Sequence, residues 1–301
     1  MALAVRAVVG YDDLQRWVAT RNAASNDVIS VEMRALVRAR ESASIDLIAE
    51  RDGEPVGIGF LSADPRSLAI GRPWVDVRVL PEHRHRGVGS ALLGEIVDQA
   101  KRAGYDGLRC SADAEDEASL AFLRRHGFSV TCAIEQVSLE VGSAPEREPP
   151  AQPGIQLVRL AQHPELVAAM YEFAVSTAQD RTDRIGGVVP SEADWRTYEL
   201  SSPFVRLEMT VVATADDTVV GYSIIQDLPG FDALLHRSLA IAPRWQEQGL
   251  GQALVVEAIR DAAAAGVPEL IAVPESPFEA ELFESLGYRL RERWLEHARA
   301  L

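Results

Sequence analysis

The sequence predicts a mixed α/β fold that is used twice in one chain of 301 residues. Three observations carry this. Strand-like and helix-like hydrophobic patterns alternate along the chain. A strand, a glycine-rich turn and an amphipathic helix recur, as LPEHRHRGVGSALL and again as IAPRWQEQGLGQAL. Between the two copies lies GSAPEREPPAQPG, residues 142–154, which has four prolines and no large apolar residue. Such a composition makes a semi-extended linker, so the expected domains are residues 1–141 and 155–301. Further matches follow in the same order at a nearly constant offset: Gly57 with Gly221, Pro81 with Pro243, Gly104 with Gly266, and Gly127 with Gly287. The spacing is far longer than that of a solenoid repeat and indicates domain duplication.

The elements of the first half read in order as follows. LAVRAVV is an apolar run with strand character, and Asp12 or Asp13 is placed to cap the helix after it. Ser30 caps the next helix; Met33 stands where a capping box would need Glu or Gln, so the cap is a plain one. DLIAERDGEPVGIGFL is a hairpin turning at Asp52-Gly53. WVDVRVLP is a strand stopped by Pro81. From Ser90, the apolar residues Leu92, Leu93, Ile96, Val97 and Ala100 recur at helical spacing, and Gly104 ends that helix. GLRCSA is a strand, EASLAFLRRH a helix closed by Gly127, and VTCAIEQVSLEV one or two strands. The second half follows the same plan.

Composition narrows the function. The formal net charge is −15, with the excess concentrated in the second half. Nucleic-acid binding needs a basic face, so no nucleic-acid partner is expected; a cationic amine is compatible with this surface. The opening MALAVRAVVG is short and interrupted by Arg6, and no run approaches the roughly 20 apolar residues of a membrane helix. The expectation is a cytoplasmic protein with no membrane partner. Cys110 and Cys132 lack metal or redox spacing and read as small buried hydrophobes; no metal is expected.

The turn after WVDVRVLP carries the chemistry. Gly87 and Gly89 permit positive φ and close backbone approach. The helix N-terminus adds unpaired amides and a positive dipole end, and Arg84, His85 and Arg86 add charge. Together they form a cradle for a phosphate or pyrophosphate. A P-loop would require Gly-Lys-Ser/Thr, and a dinucleotide fingerprint a third small residue where Leu92 and Leu254 stand.

Pro81, Arg84, Gly87 and Gly89, repeated as Pro243, Gln246, Gly249 and Gly251, resemble motif A of the GNAT acetyltransferase superfamily. FLRRHGF and LFESLGY resemble its closing helix. The resemblance implies two tandem GNAT-like domains, each a mostly antiparallel sheet with flanking helices and a splayed central strand pair. It implies acetyl-CoA as cosubstrate, its pyrophosphate held by the amides of His85, Arg86, Gly87, Val88, Gly89 and Ser90. Pantetheine would lie along Val77, Arg78 and Val79. The matching second-half residues are Leu239, Ala240 and Ile241, then Glu247, Gln248, Gly249, Leu250, Gly251 and Gln252. Glu247 places a carboxylate where a pyrophosphate would sit, so the first half is expected to bind and the second to bind weakly or not at all.

The implied reaction is direct acetyl transfer to the primary amine of a small molecule or peptide. It needs a base, a donor at the carbonyl oxygen and an acid for the thiolate. The family's usual tyrosine is replaced by Leu123 and Phe283. The thiolate leaves unaided, a thiol having a pKa of about 8.5, or with help from Ser119 or water. Base candidates are Asp76, on the strand before the turn; Glu32, on an early helix; and His236, on the matching second strand. His83 and His85 read as phosphate-side residues. Trp74, Trp195, Tyr198 and Phe204 are aromatics for a pocket or a core. The missing tyrosines also permit a module that binds CoA or another ligand without turnover, its second half a scaffold. The chain is expected to be a monomer, with its domains as a pseudo-dimer, or a homodimer.

Overall fold

A computed structural model describes residues 3–25, 28–41, 43–62, 71–144, 148–150, 153–178, 189–228 and 230–301. Residues 145–147 and 151–152 of the expected linker lie outside the described residues. The chain forms two compact units. Unit 1 is Met1–Cys132 together with Leu295–Leu301, and unit 2 is Ala133–Trp294. A cut at the proline-rich stretch would give 1–141 and 155–301. The units differ from that cut because each of the two longest strands, Ser129–Glu140 and Arg289–Ala300, contributes its ends to different units.

Unit 1 contains β1 (Leu3–Ala7), α1 (Gly10–Ala23), α2 (Val31–Arg40), β2 (Ile45–Arg51), β3 (Glu54–Ser62), β4 (Trp74–Val79), α3 (Val88–Arg102), β5 (Gly107–Asp113) and α4 (Glu117–Arg125). β1 to β4 pair antiparallel in sequence order, and β5 joins β4 in parallel. Ser30 caps α2 as expected, accepting from the Met33 amide at 3.1 Å. Neither Asp12 nor Asp13 caps α1. That helix begins earlier, at Gly10 with φ 73°, and Asp13 sits within its first turn, where it accepts from the Val9 amide. The hairpin turns at Asp52 and Gly53, both at positive φ.

The apolar stripe of α3 packs on the sheet through Leu92, Leu93, Ile96, Val97 and Ala100. Gly57 lets it come close: a Cβ there would lie 2.9 Å from the Arg78 carbonyl and 3.1 Å from Val88. Trp17, Val18, Ile48 and Ile58 form a second cluster with α1 on the other face.

Unit 2 repeats the plan with β7 (Gln156–Arg159), α5 (Val167–Thr177), α6 (Glu192–Glu199), β8 (Val211–Ala215), β9 (Thr218–Asp227), β10 (Ala233–Ile241), the one-turn α7 (Pro243–Gln246), α8 (Leu250–Ala264), β11 (Glu269–Ala272) and α9 (Pro277–Ser285). β7 to β10 are antiparallel, and β11 pairs parallel with β10. VTCAIEQVSLEV forms a single strand, β6 (Ser129–Glu140), whose second half pairs antiparallel with β11 in unit 2. The final strand, β12 (Arg289–Ala300), ends in unit 1, where the Leu301 amide bonds the Asp106 carbonyl at 3.1 Å. Among the described residues, no helix is long and apolar enough to cross a membrane.

Candidate functional site

β4 and β5 meet at one register pair, Trp74 with Arg109. Beyond it β4 stays on β3 as far as Val79, opposite Gly57, while β5 departs, and the two strands form a fork. In an antiparallel ladder, residues alternate between bonding the partner strand and facing away. The Leu80 amide donates to the Val56 carbonyl at 3.1 Å, which fixes the alternation. Asp76 and Arg78 therefore bond β3, while Val77 and Val79 turn their N–H and C=O groups into the fork. The backbone of Arg78 is committed to β3, so only its side chain remains for the site.

Side chains alternate too. Val75, Val77 and Val79 pack toward α3, leaving Asp76 and Arg78 on the α1 face. There the Arg78 guanidinium donates to Asp76 at 2.7 Å and to the hydroxyl of Ser25, just past the end of α1. The Asp76 carboxylate thus already accepts from a guanidinium.

After β4 the chain makes a short turn at Pro81–His83 and then passes through His85 at φ 58° and Gly87 at φ 82° before α3 begins. Two left-handed residues so close together bend the backbone sharply just before the helix N-terminus. Ala91 is the first residue whose amide is taken within the helix, by the Gly87 carbonyl at 3.0 Å. The amides of Val88, Gly89 and Ser90 precede it and face outward along the axis. Arg84, His85, Arg86 and Gly87 are exposed. Arg84 also braces the turn, its Nε donating to the Val79 carbonyl at 3.1 Å. His83 is half-buried beside it. These residues fit a pyrophosphate: an open strip of amides, positive charge at the lip, and no side chain on Gly87 to cover it.

One contact near the turn has no counterpart in the sequence reading. The Ser90 hydroxyl lies 3.0 Å from His126 Nε2, and the imidazole packs on Phe122 with ring centroids 4.5 Å apart. Burial, with Arg299 and Arg125 nearby, holds the His126 ring below its ordinary pKa.

The other candidates have local partners of their own. Glu32 is exposed in the first turn of α2; its own amide and the Ser30 hydroxyl hold its carboxyl below the usual range, the wrong direction for a base. Ser119 donates to Asp116 at 2.6 Å, inside the cap of α4. Leu123 packs into the unit 1 core. In unit 2, His236 is fully enclosed, 3.0 Å from the Tyr288 hydroxyl and edge-on to Phe283. Burial pushes its ring down to about 3, so it is a neutral core histidine. Trp195 is core, Tyr198 lies under the Arg237 guanidinium, Phe204 is half-buried and Trp74 lies under Arg109.

The second turn keeps the glycines and differs in shape. Gly249 has φ 82°, but Glu247, at φ −84°, follows a helical turn, and the Gln248 amide is taken by the Trp245 carbonyl at 3.2 Å. The second of the two glycines is also packed more tightly. A Cβ on Gly251 would lie 2.8 Å from both Ile241 and Leu282, whereas at Gly89 the nearest atom, on Phe122, is 3.3 Å away. Leu239, Ala240, Ile241 and Leu250 are all buried, and Gln252 is half-buried.

Residues 12–128 match the acetyltransferase (GNAT) family, and residues 206–290 match the acetyltransferase (GNAT) domain. The chain belongs to the GNAT acetyltransferase superfamily. Both units of this GNAT protein carry the fold, with its mostly antiparallel sheet and its fork. A tandem GNAT protein from the clavulanic acid biosynthesis pathway superposes with a TM-score of 0.73 at 16% identity, covering 99% of this chain and 98% of that one. The mycothiol acetyltransferase of Nocardiopsis dassonvillei is 26% identical over 93% of this chain and 92% of its own length. The L-methionine sulfoximine/L-methionine sulfone acetyltransferase of Salmonella typhimurium is 31% identical over 98 residues, 32% of this chain and 57% of that protein. The chain therefore spans little more than half of that shorter relative. GNAT fold enzymes use acetyl-CoA, and the relatives this chain matches are named as acetyltransferases.

Proposed function

We propose that unit 1 acetylates the primary amine of a small, amino-acid-like acceptor, with acetyl-CoA held along β4 and over the start of α3. The observation that carries this is the fork opening beside an exposed, doubly left-handed turn. The amides of His85 to Ser90 and the charge of Arg86 would hold the pyrophosphate, and Val77 and Val79 would bond pantetheine. An N–H of β4 aimed into the fork is placed to stabilise charge on the thioester oxygen. The acceptor ammonium first gives one proton to water; its nitrogen then bonds to the carbonyl carbon as the C–S bond breaks, and the second proton that the nitrogen loses passes to the leaving thiolate.

The described residues put no tyrosine at Leu123, and Asp76 is held by Arg78. Water therefore carries the protons, and Asp76 attracts the acceptor ammonium. Amino-acid acceptors fit the small-substrate relative from Salmonella typhimurium. Unit 2, with its differently shaped turn and the carboxylate of Glu247, would serve as scaffold.

The test is thiol release from acetyl-CoA in the presence of an amine panel. Amine-dependent release that falls in Gly87→Val at sub-saturating acetyl-CoA supports the reading. Acetyl-CoA binding with no amine-dependent release would leave a binding module and refute it.

A further inference from the structure

The last strand of the chain brings a buried carboxylate to the fork of unit 1. Glu296 lies on the part of β12 that belongs to that unit and is 4% exposed. Its carboxylate stands 3.9 Å from the Arg109 guanidinium. That is long for a hydrogen bond and short enough for strong attraction where water is excluded. Arg109 is the β5 residue paired with Trp74, at the last contact before β4 and β5 part. Its guanidinium lies over the Trp74 indole, 5.4 Å from the ring centroid. Stacking on one side and a carboxylate on another fix the orientation of the fork's arginine.

A second opposed pair, Asp76 with Arg78, sits on the same face of β4 as Trp74. Among the described residues, two opposed pairs, Asp76 with Arg78 and Glu296 with Arg109, thus lie on the acceptor side of the fork. This balanced set suits a zwitterion better than a simple cation. A buried ion pair such as Arg109 with Glu296 is by itself weak evidence of a stabilising role. The pair is particular to unit 1: GLRC of β5 corresponds to ELIA of β11, where Ile271 replaces the arginine.

We propose that Arg109 binds the carboxylate of an α-amino-acid acceptor and that Glu296 positions Arg109 to do so; this rests on the acetyl-transfer reading of the same fork. With the carboxylate on Arg109, the ammonium points toward Asp76 and the mouth of the fork, where the thioester carbonyl would lie. The far C-terminal strand then sets the acceptor specificity of the N-terminal domain.

The test uses the full chain and a panel of α-amino acids, L-methionine sulfone among them, each paired with its decarboxylated amine. The readout is kcat and KM for each acceptor by thiol release. The wild-type protein is expected to prefer an amino acid over its amine by about tenfold or more in kcat/KM, the discrimination of a site built for a charged group. Arg109→Gln is expected to remove that preference by raising KM for the amino acid about tenfold or more. It should leave KM for acetyl-CoA unchanged and alter the kinetics with the amine far less than those with the amino acid.

Glu296→Gln should raise the same KM by a smaller factor, and Glu296→Asp should recover part of the loss. Acetyl-CoA binding and the melting temperature of each variant report its folding. A wild-type protein that prefers the amines, or an Arg109→Gln variant that affects both acceptors equally, overturns the proposal. A Glu296→Gln variant with wild-type KM overturns the positioning role. Turnover of no acceptor by the wild-type protein defeats the acetyl-transfer reading instead.

Discussion

Cys110 faces the core from β5, and burial, with Asp76 and Glu296 nearby, pushes its thiol up to about 12. Such a thiol stays protonated and unreactive at mildly alkaline pH. Cys132, on β6, is only half-buried. Iodoacetamide at about pH 8, just below the ordinary thiol pKa, is expected to mark Cys132 in the native protein and Cys110 only after denaturant is added. Peptide mass spectrometry reads both sites, and equal native labelling would contradict the burial of Cys110. His236 gives a second residue-scale expectation. Its ring is pushed from 6.5 down to about 3, so the unfolded chain takes up the proton first. Stability is therefore lost as pH falls from 6.5 toward 3, at up to about 1.4 kcal/mol per pH unit. His236→Phe removes this dependence while giving up the bond to Tyr288. The urea midpoint should fall less between about pH 7 and pH 5 in His236→Phe than in the wild-type protein, a window below the usual histidine pKa.

At the scale of elements, the two strand–turn–helix units separate what is encoded from what is used. Both helices start after a glycine at φ 82°. A β-branched residue in that conformation costs roughly 1–2 kcal/mol and is relieved by moving the turn. Gly87→Val should therefore weaken acetyl-CoA binding by about tenfold or more, each tenfold corresponding to 1.4 kcal/mol. Gly249→Val should leave it unchanged, because the helical turn ending at Glu247 gives the second turn a different shape and a carboxylate where the first has a basic lip. Calorimetric titration of the two variants decides this, and a larger loss in Gly249→Val would reverse the assignment of the working site. The glycines, the apolar stripe of α3, the Ser30 cap and the Asp52-Gly53 turn were readable because each is a local requirement of the backbone. The α1 start was misread because Gly10 adopts a left-handed φ ahead of the aspartates. The use of Arg78 depended on strand register, which alternates by one residue and is set by β3. His126 is adjacent to Gly127 in the closing motif, a signal that was present, but its bond to Ser90 depends on how α4 lies against α3.

At the scale of the whole chain, the residues hardest to read are those that complete unit 1 from the far end of the sequence. No local pattern says that β12 lends its end to the N-terminal unit, because an apolar-polar strand fits many partners. The packing leaves little choice. A Cβ on Gly107 would lie 2.6 Å from the Arg299 carbonyl, Thr131 donates to the Glu296 carbonyl at 3.3 Å, and Leu301 packs against the unit 1 core. Gly107→Ala should accordingly destabilise unit 1 by about 1–3 kcal/mol, the usual cost of overpacking. Deleting Leu295–Leu301 is the stronger test. It strips the neighbour from β5, removes Glu296 and exposes core, all within unit 1. Calorimetry of the truncated chain should show a transition lost or lowered together with acetyl-CoA binding, while a second transition survives. A fragment of residues 1–141 should fail to bind acetyl-CoA for the same reason, even though it contains every residue of the cradle. Full binding by either truncated form would mean that the N-terminal domain stands alone and that the closing strand is dispensable to it.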